Sequence, residues 1–159
     1  MKAHHIGGLV LAGALFFAAC STGTQLGGAS YGGATPPASA GSAPVTVKTG
    51  SSKLGTILVD SQGRTLYAFT NDASGMSTCN GACADAWPPV AAQSNNNVGG
   101  GVDPALLSSV QRADHTSQLK VGKWPVYLYA GDGAPGDVNG QGSGGTWFVI
   151  APNGSLIRS

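Results

Sequence analysis

Two stretches of this chain carry the same pattern sixty residues apart, and one can be laid on the other without a gap. Leu66-Tyr67-Ala68-Phe69 falls on Val126-Tyr127-Leu128-Tyr129, Asp72 on Asp132, Trp87 on Trp147 and Val90 on Ile150. The shared unit is Tyr-x-aromatic-x-x-Asp, with a Trp fifteen residues beyond the Asp. Recurrence at a fixed period marks one supersecondary unit used more than once. Each unit, about 54–90 and 114–150, is too short to bury an apolar face alone. The two copies are therefore expected to pack on each other around a shared core, as a pseudo-symmetric pair.

The local pattern within the units is that of strands. Thr56-Ile57-Leu58-Val59 is β-rich, Asp60 to Gly63 has turn chemistry, and Arg64 to Thr70 alternates, which predicts a hairpin. A second hairpin is predicted from Gln118–Val121, a Gly122-Lys123 turn and Trp124–Tyr129. A third is predicted from Trp147–Ile150, Pro152-Asn153-Gly154 and Ser155–Ile157. Asp103 as N-cap with Pro104 at the first helical position predicts a short helix. The chain holds 26 Gly and no Glu, which lowers helix propensity throughout. The expected fold is mainly β: a small two-repeat antiparallel domain over 45–159, with Gly-rich loops and at most one short helix.

The first residues read as an address rather than as part of that domain. Lys2 supplies a positive start, and Ile6 to Ala19 is an uncharged, mostly apolar run of 14 residues. A membrane-spanning helix needs about 20, so the run suits a signal-peptide core. It ends in Phe17-Ala18-Ala19-Cys20, which resembles the lipobox of bacterial lipoproteins. In that family the signal (here residues 1–19) is removed and the Cys sulfur carries a diacylglycerol, so Cys20 is the implied lipidation site. Acyl chains such as palmitate hold a protein on a membrane because each buried CH₂ contributes about 0.8 kcal/mol. The alternative is an ordinary secretory signal cut near Ala19. Of residues 21–44, 21 of 24 are Gly, Ala, Ser, Thr or Pro, and Tyr31 is one exception. Such a segment buries too little to order itself, so 20–44 is read as a lipidated Cys followed by a flexible tether reaching roughly 25–30 Å.

Removing residues 1–19 takes Lys2 from eight basic residues, leaving seven against seven acidic ones, and leaves His115 as the sole histidine. Charged residues make up 9% of the chain, against about 25% in ordinary soluble domains. No basic stripe is present, which argues against a nucleic-acid partner. No nucleophile elbow, phosphate loop or zinc-protease motif occurs either. With one His and no Glu, acid–base catalysis would have to be built from Asp alone. The expectation is a non-enzyme with no cofactor.

Tyr67-Ala68-Phe69-Thr70-Asn71-Asp72 and Tyr127-Leu128-Tyr129-Ala130-Gly131-Asp132 resemble the Yx(F/W/Y)xxD motif of a bacterial lipoprotein family described as a secreted repeat of unknown function. The surrounding text is similar to it too, from Leu54 through Cys79, Cys83 and Trp87-Pro88-Pro89, and again from Tyr127 through Asp137 to Trp147. The resemblance implies an envelope address and a repeat, but no activity.

Physically, the rings of Tyr67 and Phe69, and of Tyr127 and Tyr129, share one face of a strand. One reading makes them core, packed against Trp87 and Trp147, with Asp72 and Asp132 closing turns. The other makes them an aromatic cleft with a carboxylate at its rim, able to hold a cation or small ligand. In an oxidising compartment Cys79 and Cys83 are expected to pair. A redox role for them is weakened because Cys-x-x-Cys before a helix in a βαβ unit is missing. Asp132, Asp137, Asn139 and Gln141 lie on a Gly-rich loop and are weak candidates for a cation, with Asx-turns as the simpler explanation. Arg112 to Thr116, holding His115, is expected to be an exposed turn. The partners expected are the membrane, through the lipid, and an envelope protein or small ligand.

Overall fold

The computed structural model describes residues 44–158; the signal segment 1–19, Cys20, Tyr31 and the tether up to residue 43 lie outside them. Eight strands form in the order β1 (Thr46–Ser52), β2 (Gly55–Val59), β3 (Tyr67–Phe69), β4 (Asn97–Val98), β5 (Leu107–Gln111), β6 (Ser117–Val121), β7 (Trp124–Tyr127) and β8 (Trp147–Val149). One short helix, α1 (Ala82–Ala86), and three single 3₁₀ turns accompany them. The strands make a three-stranded sheet, β2-β1-β4, and a five-stranded sheet, β5-β6-β7-β3-β8. The fold is mainly β with two repeats, as the sequence predicts.

The register carries the symmetry. β3 and β7 are antiparallel neighbours in which Tyr67 faces Tyr127, so the same position of each unit pairs with its counterpart. Tyr67 also pairs with Val149, and Tyr127 with Pro89, sixty residues apart on each side. Each unit thus lends its Trp-bearing segment to the other unit's Tyr strand. The first copy does this with Trp87-Pro88-Pro89. Proline has no N–H to give, so this segment contributes carbonyls instead, with Leu128 N–H donating to Pro88 at 2.9 Å.

Side chains alternate across the strands into two separate cores. Leu58, Leu66, Ala68 and Val126 join one, with Val47, Leu119, Val121, Trp124 and Ile150. Ile57, Val59, Tyr67, Tyr127 and Val149 join the other, with Trp87, Trp147 and Cys79. The strands at the centre are covered on both faces, which is why β7 is buried at every residue.

Several local expectations change. The hairpin expected over 56–70 closes at a single bridge, Val59 to Thr65, because β3 departs to sit between β7 and β8. The true partner of β2 is β1, a strand that alternation does not announce, since only Val47 in it is fully buried. Its Gly50 lies under Val59, where a Cβ would come within 2.8 Å of Cγ1. The second hairpin forms, but β7 stops at Tyr127 rather than Tyr129. The third closes through the bridge from Ile150 to Leu156. The helix start at Asp103 is a 3₁₀ turn, Pro104–Leu106, with the Asp103 carboxylate accepting from Ala105 N at 2.9 Å. The α-helix falls instead on 82–86.

Candidate functional site

The motif residues converge where the two units meet. Phe69 stands opposite Trp147 in the β3–β8 register. The equivalent bonds, Leu128 to Pro88 and Ala130 N to Ala86 O, bring Tyr129 beside Trp87. The result is one column of four rings, Tyr129, Trp87, Trp147 and Phe69, with members drawn alternately from the two units. Successive centroids are 4.4, 3.9 and 4.3 Å apart, and the two indoles are 2° from parallel. Tyr67 meets Trp87 edge-on at 5.5 Å, and Tyr127 meets Trp147 in the same way at 5.1 Å. Offset and edge-to-face contacts are the favoured geometries of aromatic quadrupoles. Gly140 makes room for the column: a Cβ there would come within 2.7 Å of the Trp87 ring.

The tyrosines end on carboxylates, and each reaches the carboxylate of the other unit. Tyr67 OH donates to Asp132 Oδ2 at 2.7 Å, and Tyr127 OH to Asp72 Oδ2 at 2.6 Å. Asp72 is fully buried, and its Oδ1 accepts from Thr78 N at 2.8 Å and Thr78 Oγ1 at 2.6 Å. Asp132 is half-buried, and its Oδ1 accepts from Asn139 N at 3.0 Å. Both tyrosines hold their protons above the ordinary tyrosine range. Burial is the larger cause, followed by the hydrogen bond to the acceptor carboxylate. The Asp does close a turn, but the crossed Tyr–Asp bond is invisible to a reading of either unit alone. The repeat was the signal that could have pointed to it.

A second network grows from Arg112, which is buried, not exposed as its neighbours suggested. Its Nη1 donates to Ser77 Oγ and to Gln118 Oε1 (2.7 Å), and its Nη2 to Cys79 O (2.7 Å) and Asn80 Oδ1 (3.0 Å). Ser77 Oγ in turn contacts Tyr127 OH at 2.7 Å. A chain of polar contacts therefore runs from Arg112 through Ser77 and Tyr127 to Asp72. The rest of that turn is exposed as expected, including His115, which takes φ 64°. Asp60 closes the turn expected over 60–63. It accepts from Gln62 N and Arg64 N and pairs with the Arg64 guanidinium at 2.7 Å.

Cys79 and Cys83 form a disulfide. Cys83 lies in α1, so a short helix does stand at this pair, although without a βαβ unit around it. On the 132–141 loop, Asp137 Oδ2 accepts from Gly133 N and Ala134 N, and Asn139 Nδ2 donates to Gly131 O. Gln141 turns elsewhere, to Val149 N and Ile157 O. These side chains fasten backbone rather than converge on a point. Among the described residues, no group of three or more His, Cys, Asp or Glu is placed to hold a metal ion. Asp132 and Tyr129, with Arg64, Thr65, Pro88 and Leu128, border a recess of about 210 Å³.

The profile of a family described as a secreted repeat of unknown function matches residues 48–91 and again residues 108–151. The chain belongs to this family. The two matches are offset by the same sixty residues as the motif, and together they cover more than half of the 159 residues. Each matched stretch therefore carries a leading pair of antiparallel strands, a Tyr strand and a Trp segment: most of β1 with β2, then β3 and Trp87–Pro89 in the first, most of β5 with β6, then β7 and β8 in the second. No curated protein and no solved structure matches the chain.

Proposed function

We propose that this protein is a lipid-anchored component of the bacterial cell envelope whose repeat domain acts as a non-catalytic structural or binding module. The domain is displayed outside the cytoplasm, on the outer membrane or the outer face of the plasma membrane. The observation that carries the module reading is the mutual use of the motif. Tyr67, Tyr127, Asp72 and Asp132 satisfy one another across the repeat boundary, and the column of rings fills the space between them. Groups spent on holding two units together are not poised to act on a substrate. The anchor rests on the lipobox-like Phe17-Ala18-Ala19-Cys20 and on the family's secreted character. Metabolic labelling with palmitate tests it directly. The full chain takes up label and stays with membranes, while Cys20→Ser takes up none and is found in the soluble fraction. A labelled Cys20→Ser chain, or an unlabelled full chain, defeats the anchor.

One observation favours a second use for the module. Asp132, unlike Asp72, is half-buried and borders a recess with Tyr129 and Arg64. A small ligand could be held there between ring and charges. Binding lost in Asp132→Asn, in a protein that still folds, supports this reading.

A further inference from the structure

The carboxylates of the two crossed Tyr–Asp pairs are finished differently. Asp72 takes three hydrogen bonds, from Tyr127 OH, Thr78 N and Thr78 Oγ1, and is sealed. Asp132 takes two, from Tyr67 OH and Asn139 N, and stays half-buried. The sixty-residue offset puts Val138 in the place of Thr78, and Val138 joins the aromatic core, so no hydroxyl closes the second carboxylate. An ionised carboxylate offers about four lone-pair sites. Asp132 therefore keeps acceptor capacity that Asp72 has spent, and it keeps it at the border of the recess of about 210 Å³.

The charges at this recess do not balance. Arg64 spends Nε and Nη2 on Asp60, at 2.7 Å each, so its charge is matched while its Nη1 meets no partner among the described residues. Among the described residues, no Lys, Arg or His lies within ion-pair distance of Asp132. Asp137, on the same loop, likewise accepts only from backbone, at Gly133 N and Ala134 N. An excess of negative charge is left beside the half-buried ring of Tyr129 and the carbon surface of Pro88, Leu128 and Ala130. A carboxylate and a ring face both attract a cation. The volume is below the about 300–1,000 Å³ of drug-sized sites, so the ligand is small. One carboxylate with two of its sites spent does not supply the six to eight oxygens that Ca²⁺ takes, which favours an organic cation. We infer that the recess binds a small hydroxylated primary amine, an amino alcohol or amino sugar. Its ammonium goes to Asp132, its carbon skeleton lies against Tyr129, Pro88 and Leu128, and a hydroxyl oxygen accepts from Arg64 Nη1. The inference rests on reading the recess as a ligand site and adds the charge and chemical class of the ligand.

The experiment is an NMR titration of the full chain in detergent, read at the backbone amides of Ala130, Gly131 and Asp132. The probe is glucosamine in slightly acidic buffer, where its amine is charged, with glucose and N-acetylglucosamine as uncharged counterparts and glucuronate as an anion. Glucosamine is expected to give saturable shifts at these amides and the other three to give little. Asp132→Asn should weaken glucosamine about tenfold. Ala130 is exposed at the border of the recess, so charge can be placed there without touching the Tyr67–Asp132 bond. Ala130→Glu should bind glucosamine about threefold more tightly and Ala130→Lys about threefold more weakly. Added bulk alone would move both variants the same way. Near-UV circular dichroism from the indole pair reports that every variant is folded. Glucose binding as tightly as glucosamine at the same amides overturns the inference and leaves the recess a ligand site. No saturable shift with any of the four compounds overturns both. Weakening in both Ala130 variants, or glucosamine binding unchanged in Asp132→Asn, also overturns the inference.

Discussion

The phenol of Tyr127 donates to the carboxylate of Asp72 across the repeat boundary, 2.6 Å from oxygen to oxygen. Its counterpart, Tyr67 to Asp132, has nearly the same length at 2.7 Å but a wetter acceptor, because Asp132 is half-buried and Asp72 is sealed. A hydrogen bond to a charged group contributes about 1.5–3 kcal/mol, and the loss is felt most where water cannot replace the donor. Tyr127→Phe is therefore expected to cost about 2 kcal/mol. Tyr67→Phe should cost visibly less, and Asp72→Ala more than Asp132→Ala. Urea unfolding of the four variants measures this order. Equal losses at the two sites would show that burial does not set the difference.

The facing indoles of Trp87 and Trp147 make a sharper test of the shared core. Aromatic pairs contribute about 0.5–1.5 kcal/mol beyond the area they bury. In a double-mutant cycle, Trp87→Phe and Trp147→Phe should show a coupling of about 1 kcal/mol, since residues in contact are not additive. The stack also has an optical consequence. Two parallel indoles 3.9 Å apart couple their transitions, and the chain's third tryptophan, Trp124, lies in the other core. Near-UV circular dichroism should lose its strong tryptophan bands in either Phe variant and keep them in Trp124→Phe. Bands that survive Trp147→Phe would mean the indoles are not stacked in solution.

Sequence alone reached the repeat, its offset and the β class, because these rest on rare residues at fixed spacing. Trp87 and Trp147 could be matched from the chain, and so could their need for a partner. The crossing of Tyr67 to Asp132 and Tyr127 to Asp72 could not. Period and alternation describe one strand at a time, whereas the crossing arises only when β3 and β7 pair in register. Arg112 was misread for a related reason. It sits beside the exposed Asp114 and His115, and nothing local tells that its guanidinium turns inward to four acceptors from two separate segments. β1 was missed because the face it buries holds little but Val47 and a glycine.

The segment that carries the disulfide is held twice, once by Cys79–Cys83 and once by Arg112, which donates to Cys79 O, Asn80 and Ser77. The two restraints should differ in strength. A disulfide that closes so short a loop contributes about 2 kcal/mol. The second unit holds the same place with Asn139 and Ser143 and no cross-link, so the fold tolerates its absence. Removing Arg112 leaves several buried acceptors unpaired, at about 1–3 kcal/mol each. Cys79→Ser with Cys83→Ser is expected to give a folded protein, weaker by about 2 kcal/mol. Arg112→Met is expected to be the more damaging change. Thermal unfolding of the two proteins, followed with the oxidised wild type, checks the ranking. A serine pair less stable than Arg112→Met reverses it.

Alkali should unfold this protein through its two buried tyrosines. Tyr67 and Tyr127 both have proton affinities raised above that of a free tyrosine, by burial first and by the facing carboxylate second. Below about pH 10 the phenol is protonated in folded and unfolded chains alike, so it gives stability no pH dependence there. Above that value the unfolded chain releases the proton and the folded chain keeps it. The folded state then binds more protons, and stability falls as pH rises. Two of the chain's four tyrosines should therefore show no tyrosinate absorbance at 295 nm until the fold is lost, and should then appear together with the unfolding transition. The double variant Tyr67→Phe/Tyr127→Phe removes both groups. It is expected to be less stable at neutral pH, yet to lose stability less steeply than wild type between about pH 10 and 12. Parallel slopes for the two proteins in that window would place the alkaline sensitivity elsewhere.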